Sequence, residues 1–244
     1  MFKVMLVVAF CLFPFVVQAS PSDFALRLCK EQPQIYKCVK IKVKSTKRPY
    51  YEWNELFPNK LEMRVLVKIN RRNTLIWNGH TIAVPRVFDL DSLAYSPFPK
   101  QKSWKRSKHL IVDLKQLAWA AYEPIENGAV KLVAWGAANG GSKRCKDTGL
   151  MRCKTPVGTF HIIELGGAGK RSDLYPLDCY DKQKCGHPMP FYFKFVNTGE
   201  GVHGNKWLVG NNASHGCVRI FTYDAKFLNK EFVFVGMPVI VEEY

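Results

Sequence analysis

Val202-His203-Gly204, followed after a short interval by Ser214-His215-Gly216-Cys217-Val218-Arg219, carries the strongest signal for fold and chemistry in this chain. A cysteine thiol becomes a strong nucleophile when its pKa is lowered, and a histidine within hydrogen-bond reach lowers it by accepting the proton. The glycines that flank this pair leave room for an acyl group beside the sulfur. The pattern therefore predicts a cysteine acyl-transferase with Cys217 as the nucleophile.

The N-terminus has the features of a secretory signal. Lys3 precedes an apolar run over residues 4–17, which Pro14 interrupts, and Val17-Gln18-Ala19 offers a small-residue cleavage site. Residues 1–19 are therefore predicted to be a signal peptide, and the mature protein is expected in the periplasm or cell envelope. No later stretch approaches the roughly 20 apolar residues of a membrane helix, so the mature chain is not expected to span a membrane.

The cysteine count points to the same nucleophile. Eight cysteines are present, and Cys11 is removed with the signal, so seven remain in the mature chain. Six of them form close pairs along the sequence: Cys29 with Cys38, Cys145 with Cys153, and Cys179 with Cys185. An odd number in an oxidising compartment implies a reactive thiol or an intermolecular bridge. Six cysteines allow about fifteen pairings, of which the local one is the simplest, and it leaves Cys217 free.

Charge narrows the class of partner. The formal net charge is +16, with 36 Lys and Arg against 20 Asp and Glu. Such an excess favours polyanions, of which nucleic acid is the usual one. An exported, disulfide-bonded protein seldom meets nucleic acid, so anionic cell wall, acidic stem peptides or lipid head groups fit better, and no nucleic acid partner is expected. In residues 39–44 apolar residues alternate with lysine, which predicts a strand with one lysine-covered face.

Four segments in a fixed order resemble the L,D-transpeptidases of bacterial cell-wall synthesis. They are the Thr-Pro-x-Gly-Thr-Phe pattern in residues 155–160, the aromatic stretch 189–195, the upstream His203-Gly204, and the motif 214–219. The resemblance implies a mainly β, sandwich-like catalytic domain over residues 107–244. The residues themselves predict strands at 110–114, 117–122, 129–135 and 238–241. One late helix is expected, with Ala225, Leu228 and Phe232 on its buried face and Thr222 as its N-cap.

The resemblance also implies roles for the motif residues. Cys217 would attack as a thiolate, with His203 as general base and the carbonyl of Gly204 orienting the imidazole. Backbone amides of His215, Gly216 and Cys217 would form the oxyanion hole. The residues expected to contact or support the substrate are Gly204, Ser214 and Arg219, with Arg219 holding a carboxylate and Ser214 supporting the loop.

The implied reaction belongs to cell-wall biogenesis and the control of cell shape. Cys217 would form a thioester with a peptidoglycan tetrapeptide stem and release D-alanine. The acyl acceptor stays open: a diamino-acid amine gives cross-linking, a lysine of an envelope lipoprotein gives anchoring, and water gives carboxypeptidase activity. Carbapenems are expected to acylate the same thiol, and no cofactor is expected.

The N-terminal region, residues 20–106, is predicted to hold a small α/β module and a linker. A short helix ending near Asn70, a turn at Gly79 and a strand stopped by Pro85 are similar to the second half of a peptidoglycan-binding LysM module. The alternative is a small module that only packs against the enzyme. The polar, proline-containing stretch 96–103 is predicted to be the linker.

Other interpretations compete with these assignments. The spacing from His203 to Ser214 is shorter than is usual in the family, which makes His215 the alternative base. A zinc site is disfavoured because the chain lacks Cys-x-x-Cys and His-Glu-x-x-His spacing, so no metal is expected. A non-catalytic wall-binding or host-contact protein is the alternative from another class, but such a protein has no need of an unpaired thiol beside His203.

Overall fold

The computed structural model describes residues 21–104, 107–143, 145 and 153–244. The predicted signal peptide, residues 1–19, lies outside this part of the chain. Within the described residues no helix is long and apolar enough to cross a membrane.

Fourteen strands and five α-helices are distributed over the described chain. The strands are β1 Tyr36–Lys40, β2 Tyr50–Tyr51, β3 Ile76–Trp77, β4 Thr81–Pro85, β5 Gln101–Ser103, β6 His109–Asp113, β7 Ala118–Pro124, β8 Ala129–Asn139, β9 Gly158–His161, β10 Glu164–Leu165, β11 Phe193–Lys194, β12 Gly201–Asn205, β13 Val218–Phe221 and β14 Pro238–Glu242. The helices are α1 Pro21–Glu31, α2 Trp53–Leu56, α3 Lys60–Ile69, α4 Lys182–Cys185 and α5 Thr222–Phe227, the last continued by a π-helical turn, Leu228–Phe232.

A ten-stranded mixed sheet forms the catalytic part. Its strands follow the order β10-β11-β12-β13-β8-β7-β6-β14-β9, and β5 pairs with the first residues of β8. The pairs β12 with β13 and β6 with β14 are parallel, and the remaining pairs are antiparallel. The hairpin of β6 and β7 and the last strand confirm the sequence prediction of a mainly β fold with few helices.

The late helix packs on this sheet as its periodicity predicts. Ala225, Leu228 and Phe232 are buried in the main hydrophobic core. The predicted cap is wrong by one residue, because Thr222 is the first helical residue and Phe221 occupies the N-cap position without a side-chain cap. Phe221 belongs to the preceding strand β13, so the chain passes from strand to helix without a loop.

The N-terminal part places two helices between two paired strands. β1 pairs antiparallel with β4, and α2 and α3 lie between them in sequence. The lysine-rich strand ends at Lys40, earlier than the alternation predicted, although Ile41 beyond it is still buried. Asn70 caps the end of α3 and Gly79 has a positive φ of 85°, as the helix end and the turn were predicted.

The stretch 96–103 is not the free linker that its composition predicted. Gln101–Ser103 forms strand β5 against β8 of the catalytic sheet, and Phe98 is buried. Both parts of the chain also contribute to the same two hydrophobic cores. One contains Phe24, Val65, Ile69, Ile111, Ala120 and Trp135, and the other contains Trp53, Leu66, Ile76, Ala137, Leu208 and Phe221.

Three disulfides join the cysteines in the local pairing that spacing favoured. They are Cys29–Cys38, Cys145–Cys153 and Cys179–Cys185. Cys217 is the free cysteine of the described residues. The arithmetic of an odd cysteine therefore leads to the same residue as the motif.

Candidate active site

The topology of two parallel strands brings the motif residues together. In the pairing of β12 with β13, His203 stands opposite Arg219. Cys217 immediately precedes β13, so its side chain emerges at the strand end beside β12. The long connection that parallel strands require is here the stretch 206–217.

The imidazole of His203 is buried and fixed in one orientation. Its Nδ1 lies 2.9 Å from the carbonyl oxygen of Gly204. Because a carbonyl only accepts, Nδ1 carries the proton and Nε2 is the basic nitrogen. Burial lowers the pKa of His203 to about 4, although the bond to Gly204 acts in the opposite direction. The ring is therefore neutral at neutral pH and can accept a proton.

The thiol of Cys217 lies against the turn before β12. Its Sγ is 3.9 Å from the carbonyl oxygen of Gly199. Desolvation of the sulfur raises the pKa of Cys217, and the charge of Glu200 raises it further. A backbone hydrogen bond from Gly201 and the charge of Arg219 lower this pKa, but desolvation has the largest effect. The resting pair is thus a neutral thiol and a neutral imidazole, in contrast to the thiolate and imidazolium that the motif suggested.

Two hydroxyls hold the turn that carries the nucleophile. Ser214 Oγ accepts the amide of Gly216 at 3.1 Å and donates to the carbonyl of Cys217. Thr155 Oγ1 donates to the carbonyl of Gly216 at 2.7 Å and accepts the amide of Gly141 at 2.8 Å. Since Ser214 already holds the Gly216 amide, the predicted use of that amide in the oxyanion hole is not supported by this geometry.

Gly216 and the C-terminal tyrosine complete this arrangement. Gly216 has a φ of 125°, which L side chains rarely adopt. The hydroxyl of Tyr244 accepts the amide of Thr155 at 2.7 Å and donates to the carbonyl of Gly141 at 3.0 Å. The sequence analysis missed Tyr244 and the clamping role of Thr155.

A cavity of about 390 Å³ opens in front of the thiol. Six predicted site residues line it: Cys217, His203, His215, Gly204, Ser214 and Arg219. Gly216 lies in the turn behind them and does not contribute to the lining. The other residues that line the cavity are Ser172, Tyr175, His187, Pro188, Met189, Pro190, Asn205, Lys206 and Thr222.

One wall of the cavity is formed by a long loop. The segment 166–190 folds back on itself. The amide of Ser172 donates to the carbonyl of His187 at 2.8 Å, and the amide of His187 donates to the carbonyl of Tyr175 at 2.8 Å. The ring of Tyr175 stacks on His215 with centroids 4.7 Å apart. His215 is thus a wall residue in contact with this loop, whereas His203 lies buried on the strand.

The cavity also contains cationic groups. Arg219 and Lys206 both line it. Burial lowers the pKa of Arg219, and the nearby Cys217 partly offsets this. A guanidinium in this position suits a substrate carboxylate. Among the described residues, no group of three His, Cys, Asp or Glu side chains is arranged to hold a metal ion.

Comparison with known proteins identifies the family. The model of the YkuD L,D-transpeptidase catalytic domain matches residues 107–241, which is more than half of the chain. No curated protein sequence matches significantly. A solved L,D-transpeptidase from Xylanimonas cellulosilytica is similar with a TM-score of 0.50 and 20% identity, over 74% of this chain and 79% of that one.

Two further solved structures match this chain with lower scores. An L,D-transpeptidase from Stackebrandtia nassauensis is 22% identical over 76% of this chain and 67% of its own, with a TM-score of 0.43. L,D-transpeptidase 3 from Mycobacterium tuberculosis, with a faropenem-derived adduct, is 21% identical over 56% of this chain and 60% of its own, with a TM-score of 0.41. On the match of the family model, the chain belongs to the L,D-transpeptidase catalytic domain family and is a peptidoglycan transpeptidase.

Proposed function

We propose that Cys217 attacks a peptidoglycan tetrapeptide stem at the bond between its diamino acid and the terminal D-alanine. The observation that carries this proposal is the cavity that holds Cys217, His203 and Arg219 together. Arg219 binds a carboxylate of the stem and so directs the scissile carbonyl to the sulfur. The neutral, oriented imidazole of His203 is the base.

The first half-reaction moves one proton and exchanges one bond. As Cys217 Sγ attacks, its proton passes to His203 Nε2, and the carbonyl oxygen becomes an oxyanion near the Cys217 amide. The imidazolium then protonates the departing nitrogen, the C–N bond breaks, and D-alanine leaves. A thioester and a neutral His203 remain. Because burial disfavours both the thiolate and the imidazolium, proton transfer accompanies the attack.

Intact mass of the protein incubated with a disaccharide-tetrapeptide tests this step. We expect a covalent adduct that lacks D-alanine, and we expect the Cys217→Ala variant to form none. Thermal melting of Cys217→Ala should stay close to the native midpoint, because the contacts of the thiol with the backbone of Gly199 and Gly201 are weak ones to sulfur. An adduct that persists in Cys217→Ala would contradict the assignment.

β-Lactams of the carbapenem class offer a second acyl donor for the same thiol. Their strained carbonyl resembles the scissile bond, and the amine set free by ring opening stays attached to the acyl group, so the resulting thioester is expected to hydrolyse slowly. The M. tuberculosis protein named above carries a faropenem-derived adduct. We expect imipenem to add its mass to the native protein and to leave Cys217→Ala unchanged.

The N-terminal part is proposed to be a LysM-like module that binds the glycan of the wall. Tyr50 and Trp77 are cross-strand neighbours with ring centroids 5.1 Å apart, and Trp77 is 45% exposed. Exposed aromatic rings of this kind stack on the apolar faces of sugars. The fraction of protein that sediments with purified, stem-free glycan strands should fall for Trp77→Ala. It should stay at the native level for Trp207→Ala, because Trp207 is similarly exposed but lies outside this pair.

The place of action is proposed to be the cell envelope, with residues 1–19 removed on export. The three disulfides and the basic charge of +16 support an exported protein that meets an anionic wall. N-terminal sequencing of the protein from an envelope fraction should begin at Ser20. Water and a lipoprotein lysine remain alternative acyl acceptors, which would make the enzyme a carboxypeptidase or an anchoring transferase.

A further inference from the structure

A carboxylate lies beside the nucleophile, and the first half-reaction does not use it. Glu200 stands between Gly199, whose carbonyl contacts Cys217 Sγ at 3.9 Å, and Gly201, whose backbone also hydrogen-bonds the thiol. Its side chain lies against the catalytic turn: Glu200 Cγ is 3.1 Å and Oε1 is 3.7 Å from the point where a Cβ on Gly216 would be. The carboxylate therefore lies beside the turn that carries Cys217, where its charge acts on the sulfur.

Glu200 has no cation to neutralise it in the described part of the protein. Thr198 Oγ1 donates a hydrogen bond to Oε2, and none of the ion pairs formed by described residues includes Glu200. The side chain is only half-buried, so Oε1 is within reach of an incoming molecule. A fixed, unpaired carboxylate at this place opposes formation of the thiolate, which is a cost to the first half-reaction.

The two charged neighbours of the sulfur lie in different surroundings. Arg219 lines the cavity in front of the thiol, together with His187 and Lys206. Glu200 is not among the residues that line this cavity and instead packs beside Gly216. A donor stem, which brings a carboxylate, is attracted to the Arg219 side, whereas a cationic molecule is attracted to the Glu200 side.

We propose that Glu200 is the specificity residue for the acyl acceptor, binding the protonated amine of a second stem peptide and favouring it over water. This inference rests on the proposed function of Cys217. The ammonium first loses one proton to solvent while Glu200 holds it beside the thioester. The amine nitrogen then attacks the carbonyl carbon, the C–S bond breaks as the C–N bond forms, and the second proton passes through His203 to the sulfur.

Glu200→Gln tests this role because it keeps the shape and the hydrogen bond from Thr198 while it removes the charge. The experiment measures how the thioester partitions between a tripeptide stem with a free diamino-acid amine and water. We expect the ratio of cross-linked to hydrolysed product to fall about five- to tenfold, mainly through a higher KM for the acceptor. Formation of the acyl-enzyme should be at least as fast as in the native protein, since the carboxylate opposes the thiolate.

Hydroxylamine, which is uncharged at pH 7.5, separates charge recognition from a merely structural effect. Its rate of thioester cleavage should be the same in Glu200→Gln and native protein. Glu126→Gln serves as the control, because exposed Glu126 lies far from the thiol. It precedes the start of β8, whereas the active-site loop contacts Asn139 at the opposite end of that strand. Its partition ratio should equal the native one.

The outcomes distinguish this inference from the function on which it rests. If native protein forms no acyl-enzyme with the tetrapeptide, the proposed function fails. If acylation occurs but Glu200→Gln keeps the native partition ratio, or loses hydroxylamine reactivity to the same degree, only the role of Glu200 is overturned. Transfer by the native protein to Nα-acetyl-lysine amide and not to the stem amine would overturn the choice of acceptor.

Discussion

At the scale of single residues, the site keeps its acid and its base neutral by burying both. Burial lowers the pKa of His203 to about 4 and raises that of Cys217 above its usual value. A neutral pair avoids the desolvation cost of an ion pair in the resting enzyme. The reactive state then forms only while a substrate carbonyl is present to accept the electrons of the sulfur.

The acid limb of the pH profile of kcat/KM should reflect the pKa of the buried His203. His203 loses its function when it is protonated, so kcat/KM should fall as pH decreases through about 4, well below the ordinary histidine value. The measurement is kcat/KM for D-alanine release between pH 3.5 and 7.5, with folding checked by circular dichroism at each pH. An acid limb at the ordinary histidine value would contradict the assignment of His203 as the base. His203→Gln should lower the rate by two orders of magnitude or more.

The sequence predicted the candidate site residues that lie close together in a short motif. It did not predict those that reach the site through contacts between distant parts of the chain. Cys217 and His203 stand out because a thiol and an imidazole in a short, glycine-flanked motif indicate nucleophilic catalysis. Thr155 is an ordinary residue until the fold places its hydroxyl on Gly216, 61 positions away in the chain. Tyr244 reaches Thr155 across 89 positions. Glu200 likewise belongs to no recognisable sequence motif, because its proposed role depends on its contact with the turn at Gly216.

At the scale of elements, the connection between β12 and the nucleophile is held by the N-terminal part. Asn73 Oδ1 accepts the amide of Leu208 at 2.8 Å, its Nδ2 donates to the carbonyl of Lys206 at 2.8 Å, and its own amide donates to Leu208 at 3.1 Å. Asn139 Oδ1 accepts the amide of Val209 at 2.9 Å from the other side. The short spacing from His203 to Ser214 thus corresponds to a loop that is clamped at its middle.

Releasing this clamp should affect turnover more than folding. Asn73→Ala removes two side-chain hydrogen bonds to the loop and should lower kcat several-fold, with a loss of stability of about 1 to 2 kcal/mol. Asn59→Ala is the matched control, because Asn59 accepts the amide of Leu61 at 3.0 Å as the N-cap of α3 and does not contact the loop. It should cost about 1 kcal/mol and leave kcat unchanged below the melting range. Equal kcat values for the two variants would contradict the positioning role.

The elements that sequence predicted well are those with a regular apolar pattern of sufficient length. β6, β7 and β14 alternate or run apolar into the core, and α3 shows a helical stripe that ends at Asn70. β5 escaped prediction because three polar residues, Gln101–Ser103, form a strand only through their partner β8. The predicted strand with a lysine face ran past the end of β1, because the alternation of apolar residues and lysine continues beyond Lys40, where the pairing with β4 ends.

At the scale of the whole molecule, the two parts that the sequence separated behave as one packed body. Arg71 lies fully buried between Phe24 and Trp135, with its guanidinium carbon 5.1 and 4.8 Å from their ring centroids. Its Nε donates to the carbonyl of Gln116 at 2.9 Å. These contacts, and cores that draw on both parts, predict a single cooperative unfolding transition and no separate release of the N-terminal part by limited proteolysis.

A buried ion pair crosses the same interface. Lys68 Nζ on α3 lies 3.8 Å from Asp224 Oδ1 on α5 and donates to the carbonyl of Trp135 at 3.1 Å. Burial raises the pKa of Asp224 to about 6, although Lys68 acts in the opposite direction. The desolvation of this carboxylate thus outweighs its attraction to the lysine, which is common for buried pairs.

The stability of the native protein relative to Asp224→Asn should therefore depend on pH. The folded carboxyl has the higher pKa, so it holds its proton where the unfolded one has lost it, and ionising it as pH rises from about 4 to 6 costs the folded state about 3 kcal/mol. His203 acts in the opposite direction, because its lowered pKa removes stability as pH falls from 6.5 to 4. Both proteins contain His203, so the difference between their unfolding free energies isolates Asp224.

Urea unfolding at pH 4, 5, 6 and 7 measures this difference, with Asp178→Asn as the control for an exposed aspartate. The unfolding free energy of Asp224→Asn should gain on that of the native protein as pH rises to 6 and then stay level, whereas Asp178→Asn should follow the native curve. A difference that does not change between pH 4 and 6 would mean that Asp224 ionises as readily in the folded protein as in the unfolded chain. The ion pair with Lys68 would then offset the full desolvation of the carboxylate, and the junction between the two parts would gain strength from charge as well as from packing.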